Sequence, residues 1–175
     1  MEVIVSLILL GILGAFGAAK LGVFFRRQAL VGEGKALVEY LREARAYGAK
    51  KGMQVGIAFD AAAGSYTLFE DRNGNSAMDA GESVRAHALA KNIAFGAAAD
   101  GPSLGPDGKA VPANGLQGRW ASALIYPKDL TLGSDSGAAY LRQVNLKTVT
   151  FAIQTVPGDA KFAFSLWEGA AWRPL

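Results

Sequence analysis

The sequence predicts an α+β fold, in which a long N-terminal helix, hydrophobic at first and amphipathic later, packs on an antiparallel β-sheet. Three observations predict it. The first nineteen residues, MEVIVSLILLGILGAFGAA, carry one charge, Glu2. From Gln28 to about Lys51 apolar residues recur at helical spacing. After Gly52 the apolar period becomes two, and no helical pattern of any length returns.

The N-terminal half of the helix comes first. Val3 to Ala19 is uncharged, and continuing to Phe25 gives about the 20 residues needed to cross a bilayer. The pair Arg26-Arg27 follows, where cations can sit at the interface. A basic n-region and a small-residue cleavage site, the marks of a secretory signal, are not evident. Residues 1–27 therefore read as a transmembrane half-helix and residues 28–175 as a globular domain. A carboxylate in such a stretch is expensive in lipid, which makes Glu2 a functional suspect. Gly14, Ala18 and Gly22 are spaced four apart and share one face, and small residues on one face let apolar helices approach closely. The expectation is a helix that packs against copies of itself; a plain single-span anchor is the alternative.

The second half of the helix carries an apolar stripe, Leu30, Ala36-Leu37, Leu41, Ala44 and Gly48, with Glu33, Lys35, Glu39, Arg42, Glu43 and Arg45 largely off it. That stripe should pack on the globular body. In the body, MQVGIAF and SYTLFED alternate around the turn Asp60–Gly64 and predict an antiparallel hairpin. VRAHALA, NIAFGA, WASALIYP, LRQVNLKTVTFAIQ and KFAFSLWEG read as further strands. Asp100 to Asn114, rich in glycine and proline, reads as a surface loop.

Composition excludes several functions. The chain has 175 residues, enough for one domain and an extension. It has no cysteine, so a disulfide framework, a thiolate metal site and a Cys nucleophile are ruled out. The formal charge of +3 argues for neither nucleic acid nor anionic lipid as a partner. No nucleophile elbow, Walker loop, dinucleotide fingerprint or paired-His motif occurs, so neither an enzyme nor a small-molecule substrate is expected. The sole histidine, His87, falls in a predicted strand and reads as exposed or satisfied. Trp120, Trp167 and Trp172 read as packing residues.

One loop has metal-ligand spacing. Asp71, Asn73, Asn75, Asp79 and Glu82 fall at positions 1, 3, 5, 9 and 12 of the pattern D-x-[DN]-x-[DN]-G-x5-E, with Ser76 where glycine is expected. The Ala77 carbonyl would be the seventh-position ligand and Glu82 the closing bidentate one. Calcium takes about six to eight hard oxygen ligands, and alternate residues of a curled loop supply them. The loop is therefore a candidate weak Ca2+ site; a solvated Asn/Gly turn between strands is the alternative.

Three segments carry a family resemblance: Met1-Glu2-Val3-Ile4 at the start, LREARAYGAKKGMQVGIAF from Leu41 to Phe59, and DRNGNSAMDAGE from Asp71 to Glu82. They resemble the type IV pilin-like superfamily, within it the GspH/FimT-type pseudopilin and minor pilin group. The resemblance spans roughly the first half of the chain. It implies a pilin-like fold and a self-assembling subunit of a type IV pilus or a type II secretion pseudopilus. The partners implied are copies of the chain itself and other pilin-like subunits. The implied location is the bacterial inner membrane before assembly, then a periplasmic or extracellular filament. The N-terminal half-helix would form the filament core, and Glu2 would pair with the N-terminal amine of a neighbouring subunit. The chain departs from many pilins in having no proline before Pro102, so unwinding of the first helix would have to come from its glycines. Two other readings stay open. One is a minor pilin that binds DNA for uptake, through Arg142, Lys147, Lys161 and Arg173, although these are scattered among Asp and Glu. The other is a membrane-anchored periplasmic calcium-binding module that never polymerises.

Overall fold

The computed structural model describes residues 2–127, 137–156 and 161–175, with side chains described from Lys20 onward. The chain is α+β. Helix α1 runs without a break over Glu2–Lys51, 50 residues. It stops at Gly52, whose φ of 64° suits a residue without Cβ and lets its N–H reach the Gly48 carbonyl at 2.9 Å. Lys50 and Lys51 in the last turn complement the helix dipole.

The strands follow as β1 Val55–Asp60, β2 Ser65–Glu70, β3 Ser83–Ala88, β4 Ile93–Phe95, β5 Leu116–Gly118, β6 Ala123–Tyr126, β7 Gly137–Gln143, β8 Val149–Thr155, β9 Phe162–Glu168 and β10 Trp172–Pro174. They form two antiparallel sheets where one was expected. One has the order β3-β2-β1-β6. The other has the order β10-β9-β8-β7-β4, with β5 also on β7. The predicted hairpin is β1–β2, paired from Val55↔Glu70 to Asp60↔Ser65. Its turn is held by the Asp60 carboxylate, which accepts from the N–H groups of Ala62 and Ala63. The run LRQVNLKTVTFAIQ is not one strand. It is the end of β7 and most of β8, with a turn at Val144–Thr148 between them. Trp120 lies in a 3₁₀ turn, Arg119–Ala121, rather than in the strand that follows.

One stripe of α1 lies across both sheets. Leu30, Gly34, Leu37, Leu41, Ala44 and Gly48, at alternating spacings of four and three, are buried. Ala36, placed on the stripe by sequence, is exposed. The helix packs on β1, β7 and β8. Its stripe meets Val55, Ile57, Leu68, Leu141, Phe151 and Ile153 in a single apolar core. Gly34 is where helix and sheet come closest, since a Cβ there would lie 2.3 Å from the Phe151 ring. Phe59, stacked on Trp120 at 5.4 Å, and Phe162, edge-on to the same indole, bridge the two sheets.

The stripe ends at Leu30. Before it, Leu21, Val23, Phe24 and Phe25 stand exposed on α1, Phe25 at 64%. Among the described residues no helix is long and apolar enough to cross a membrane. Residues 3–19, on which that expectation rests, lie outside the described side chains.

The segment read as a surface loop, Asp100–Asn114, packs over the face of the second sheet that points away from α1. There Val111 joins Ala138, Tyr140 and Ala152. Just ahead of it the Ala98 N–H is held by the Thr150 hydroxyl at 3.0 Å. The Leu104 carbonyl accepts from the Trp172 indole at 2.8 Å.

Candidate functional site

The loop from Asp71 to Glu82 joins β2 to β3. Both of its end carboxylates are buried, Asp71 at 4% and Glu82 at 6% exposure. Buried carboxylates need donors, and the loop backbone supplies them. Asp71 accepts from the N–H of Gly74 at 2.7 Å and of Ser76 at 2.9 Å, and from Gln54 Nε2 at 2.6 Å. Glu82 accepts from the N–H of Arg72 and of Asp79, both at 3.0 Å. Asn73 Oδ1 takes the Asn75 N–H, and Asn75 Oδ1 takes the Ala77 N–H, so successive residues curl the chain in Asx turns. Ser76 has φ 63°, the left-handed conformation that the pattern normally assigns to glycine.

The side-chain amides of Asn73 and Asn75 both donate to Asp79 Oδ2, each at 2.7 Å. The three predicted ligands thus face one another, but with amide nitrogens toward the carboxylate. For a cation the ligand set would be Asp71, Asn73, Asn75, Asp79, Glu82 and the Ala77 carbonyl, and both amides would have to turn their oxygens inward. Among the described residues no group of three or more His, Cys, Asp or Glu is arranged to hold a metal.

The loop is tied to the end of α1. The Tyr47 hydroxyl donates to Glu70 Oε1 at 2.6 Å, and Arg72 donates to Glu70 Oε2 at 2.8 and 3.1 Å. The Tyr47 hydrogen bond first, and then Arg72, hold the Glu70 carboxyl below the usual carboxylate range. Further along the same seam, the pairing of β2 and β3 slips between Leu68 and Phe69, leaving Val84 as the extra residue. The Tyr40 hydroxyl fills the gap: it accepts from the Leu68 N–H at 3.1 Å and donates to the Arg85 carbonyl. The Arg85 guanidinium lies over the Tyr40 ring and pairs with Glu43. Tyr40, Tyr47, Gln54, Glu70 and Arg72 were not found from sequence. The charge run Glu70-Asp71-Arg72 at a strand end was the available signal for the last two; the others carry none.

The predicted assembly residues Glu2, Gly14 and Ala18 lie outside the described side chains. Gly22 is half-buried, and a Cβ there would meet nothing within 4 Å in its own chain. The four basic residues do not converge. Lys147 lies in the β7–β8 turn and Lys161 just before β9, at opposite ends of β8, about 20 Å apart at the usual rise per residue. Arg173 pairs with Glu168, which also holds Arg27 of α1 at 2.6 Å. No family model, no curated protein and no solved structure matches the chain.

Proposed function

We propose that the chain is a structural, self-assembling subunit of a type IV pilin-like filament, either a type IV pilus or a type II secretion pseudopilus. One observation carries the reading: a single helix of 50 residues whose docking stripe ends at Leu30, so that the helix runs on past the sheets with Leu21, Val23, Phe24 and Phe25 exposed. Exposed apolar surface on this scale marks a partner or a membrane. An N-terminal half-helix that is first anchored in the inner membrane and then gathered with its copies into a core would satisfy both. Glu2 then pairs with the terminal amine of a neighbour, because a carboxylate out of water is tolerable when paired and costly when alone.

The test is electron microscopy of sheared extracellular material, with mass spectrometry of its N-termini. Glu2→Ala should leave the globular domain folded and abolish filament yield; normal yield in that variant removes the role of Glu2, and absence of the chain from sheared filaments removes the reading. The calcium site is a second reading, favoured by the Asx turns and by the left-handed Ser76. The DNA-binding reading is weakened by the separation of Lys147 and Lys161 and by the carboxylate that occupies Arg173. It predicts salt-dependent DNA binding by the domain, and no binding at low salt ends it.

A further inference from the structure

Arg27 marks where α1 leaves the second sheet, since its guanidinium holds Glu168 at the end of β9. Strand pairing gathers the rest of that end. Glu168 lies opposite Val149, the first residue of β8. The turn Val144–Thr148 leads back to β7, and the Val144 N–H donates to the Asn92 carbonyl at 2.8 Å, beside Lys91. The Lys147 carbonyl accepts from the Asp100 N–H at 2.8 Å. The pole that the helix leaves is thus framed by Lys91, Asp100, Val144, Lys147 and Glu168. Its charge is one-sided. Lys91 and Lys147 are exposed, as is Arg26 on the helix, and none of the three is ion-paired among the described residues. The carboxylates at this pole are Asp100 and Glu168, and Glu168 already serves Arg27 and Arg173. A formal charge of +3 for the whole chain conceals this local excess. Beside the cations stands Val144, 55% exposed.

α1 is unbroken from Glu2, so this pole cannot stand off from whatever holds the apolar half of the helix. Val3 to Phe25, uncharged but for Lys20, spans about 35 Å at the helical rise, against about 30 Å for the hydrocarbon core of a bilayer. With that segment in a membrane, Arg26 and Arg27 fall at the headgroups, and the Arg27–Glu168 pair brings the sheet end to the same level. Lysines beside an exposed valine suit that setting. Their stems and Val144 meet the apolar boundary, while the ammonium groups meet phosphate. Nucleic acid would use the cations but leave Phe24, Phe25 and Val144 uncovered. We propose that this pole, through Arg26, Lys91, Lys147 and Val144, is a docking face for anionic lipid headgroups and seats the sheet domain on the membrane that holds α1. The inference rests on the membrane-anchored stage of the filament reading.

The chain has no cysteine, so Val144→Cys gives a single labelling site. The test places the full chain in vesicles, with a fluorophore on that cysteine and neutral acrylamide as the aqueous quencher. Met78→Cys is the control, exposed in the loop tied to Tyr47, about 30 Å along the helix from Arg27. Vesicles of mixed phosphatidylglycerol and phosphatidylcholine should shield the label at 144, and phosphatidylcholine alone should not. The label at 78 should be quenched alike in both. The shielded population should fall about fivefold for each of Lys91→Gln and Lys147→Gln, and about 30-fold in the double variant. Salt at about 0.5 M should also remove the shielding. Equal quenching at 144 in the two kinds of vesicle overturns the proposal, and so does shielding that survives in the double variant. A DNA duplex that shields the label on phosphatidylcholine vesicles as well as phosphatidylglycerol does would assign the patch to phosphate of any source, which also overturns it. Failure of the chain to float with uncharged vesicles removes the anchor and the docking face together; flotation with equal quenching removes the docking face alone.

Discussion

Gly34→Ala should destabilise the protein, although alanine is the better helix former. The added Cβ would lie 2.3, 2.6 and 2.8 Å from three ring atoms of Phe151, which is itself 1% exposed and fixed between helix and sheet. Contacts that short force a buried ring to move, and overpacking of this kind costs about 1–3 kcal/mol. Against it stands the helix-propensity gain of Gly→Ala, about 1 kcal/mol. Gly32, on the same helix, supplies the control: it is exposed, and a Cβ there meets nothing within 4 Å. Gly32→Ala therefore takes the propensity gain alone. Propensity cancels between the two variants, so their difference isolates the overpacking cost, about 1–3 kcal/mol. At about 2–4 °C per kcal/mol for a chain of this size, Tm values from circular dichroism should differ by roughly 2–12 °C, with Gly32→Ala above the parent. Phe151→Leu should recover part of the loss in a double-mutant cycle. Equal Tm values for the two alanine variants would refute the close approach at Gly34.

Two further outcomes follow from the loop and its anchor. Glu70 has its folded-state pKa depressed, so its contribution to stability is present above the ordinary carboxylate value and is lost as pH falls through the depressed one. Tyr47→Phe removes the first cause, so urea midpoints should drop less between pH 6 and pH 3 in that variant than in the parent; equal drops would discount the hydrogen bond. For calcium, a site with a Kd of about 1 mM should stabilise by about 1.4 kcal/mol at 10 mM calcium, or roughly 3–6 °C in Tm, reversed by EDTA. An unchanged melting curve removes the site.

What sequence made legible was what periodicity governs. The amphipathic stripe from Leu30 to Gly48 and the hairpin around Asp60–Gly64 repeat at 3.6 and at 2, and they were read almost as they stand. The division into two sheets was not legible, because alternation along a strand says which residues share a face and not which strands pair. The β7–β8 turn was missed since VNLKT keeps apolar residues in step with the strands on either side. Gly34 escaped notice for a similar reason: a glycine in a helix shows its purpose only when Phe151, 117 positions later, is set against it. The loop was found because its ligand-type residues are local in sequence. Its internal bonds, with Asn73 and Asn75 both on Asp79, depend on how the amides turn, and spacing does not fix that.

The segment from Ala98 to Asn114 covers a sheet without being regular itself. It is fastened at separate points, by Ala98 to Thr150, by Leu104 to Trp172 and by Val111 in an apolar contact. Between the last two fastenings the chain runs out to a tip at Gly108, with φ 76° and open space around it. A tip held from both sides can accept foreign residues without loosening what lies beneath. It is therefore the place to insert an epitope tag or a reporter dye, on the side of the molecule turned away from the helix, where a label leaves the exposed apolar face of α1 untouched.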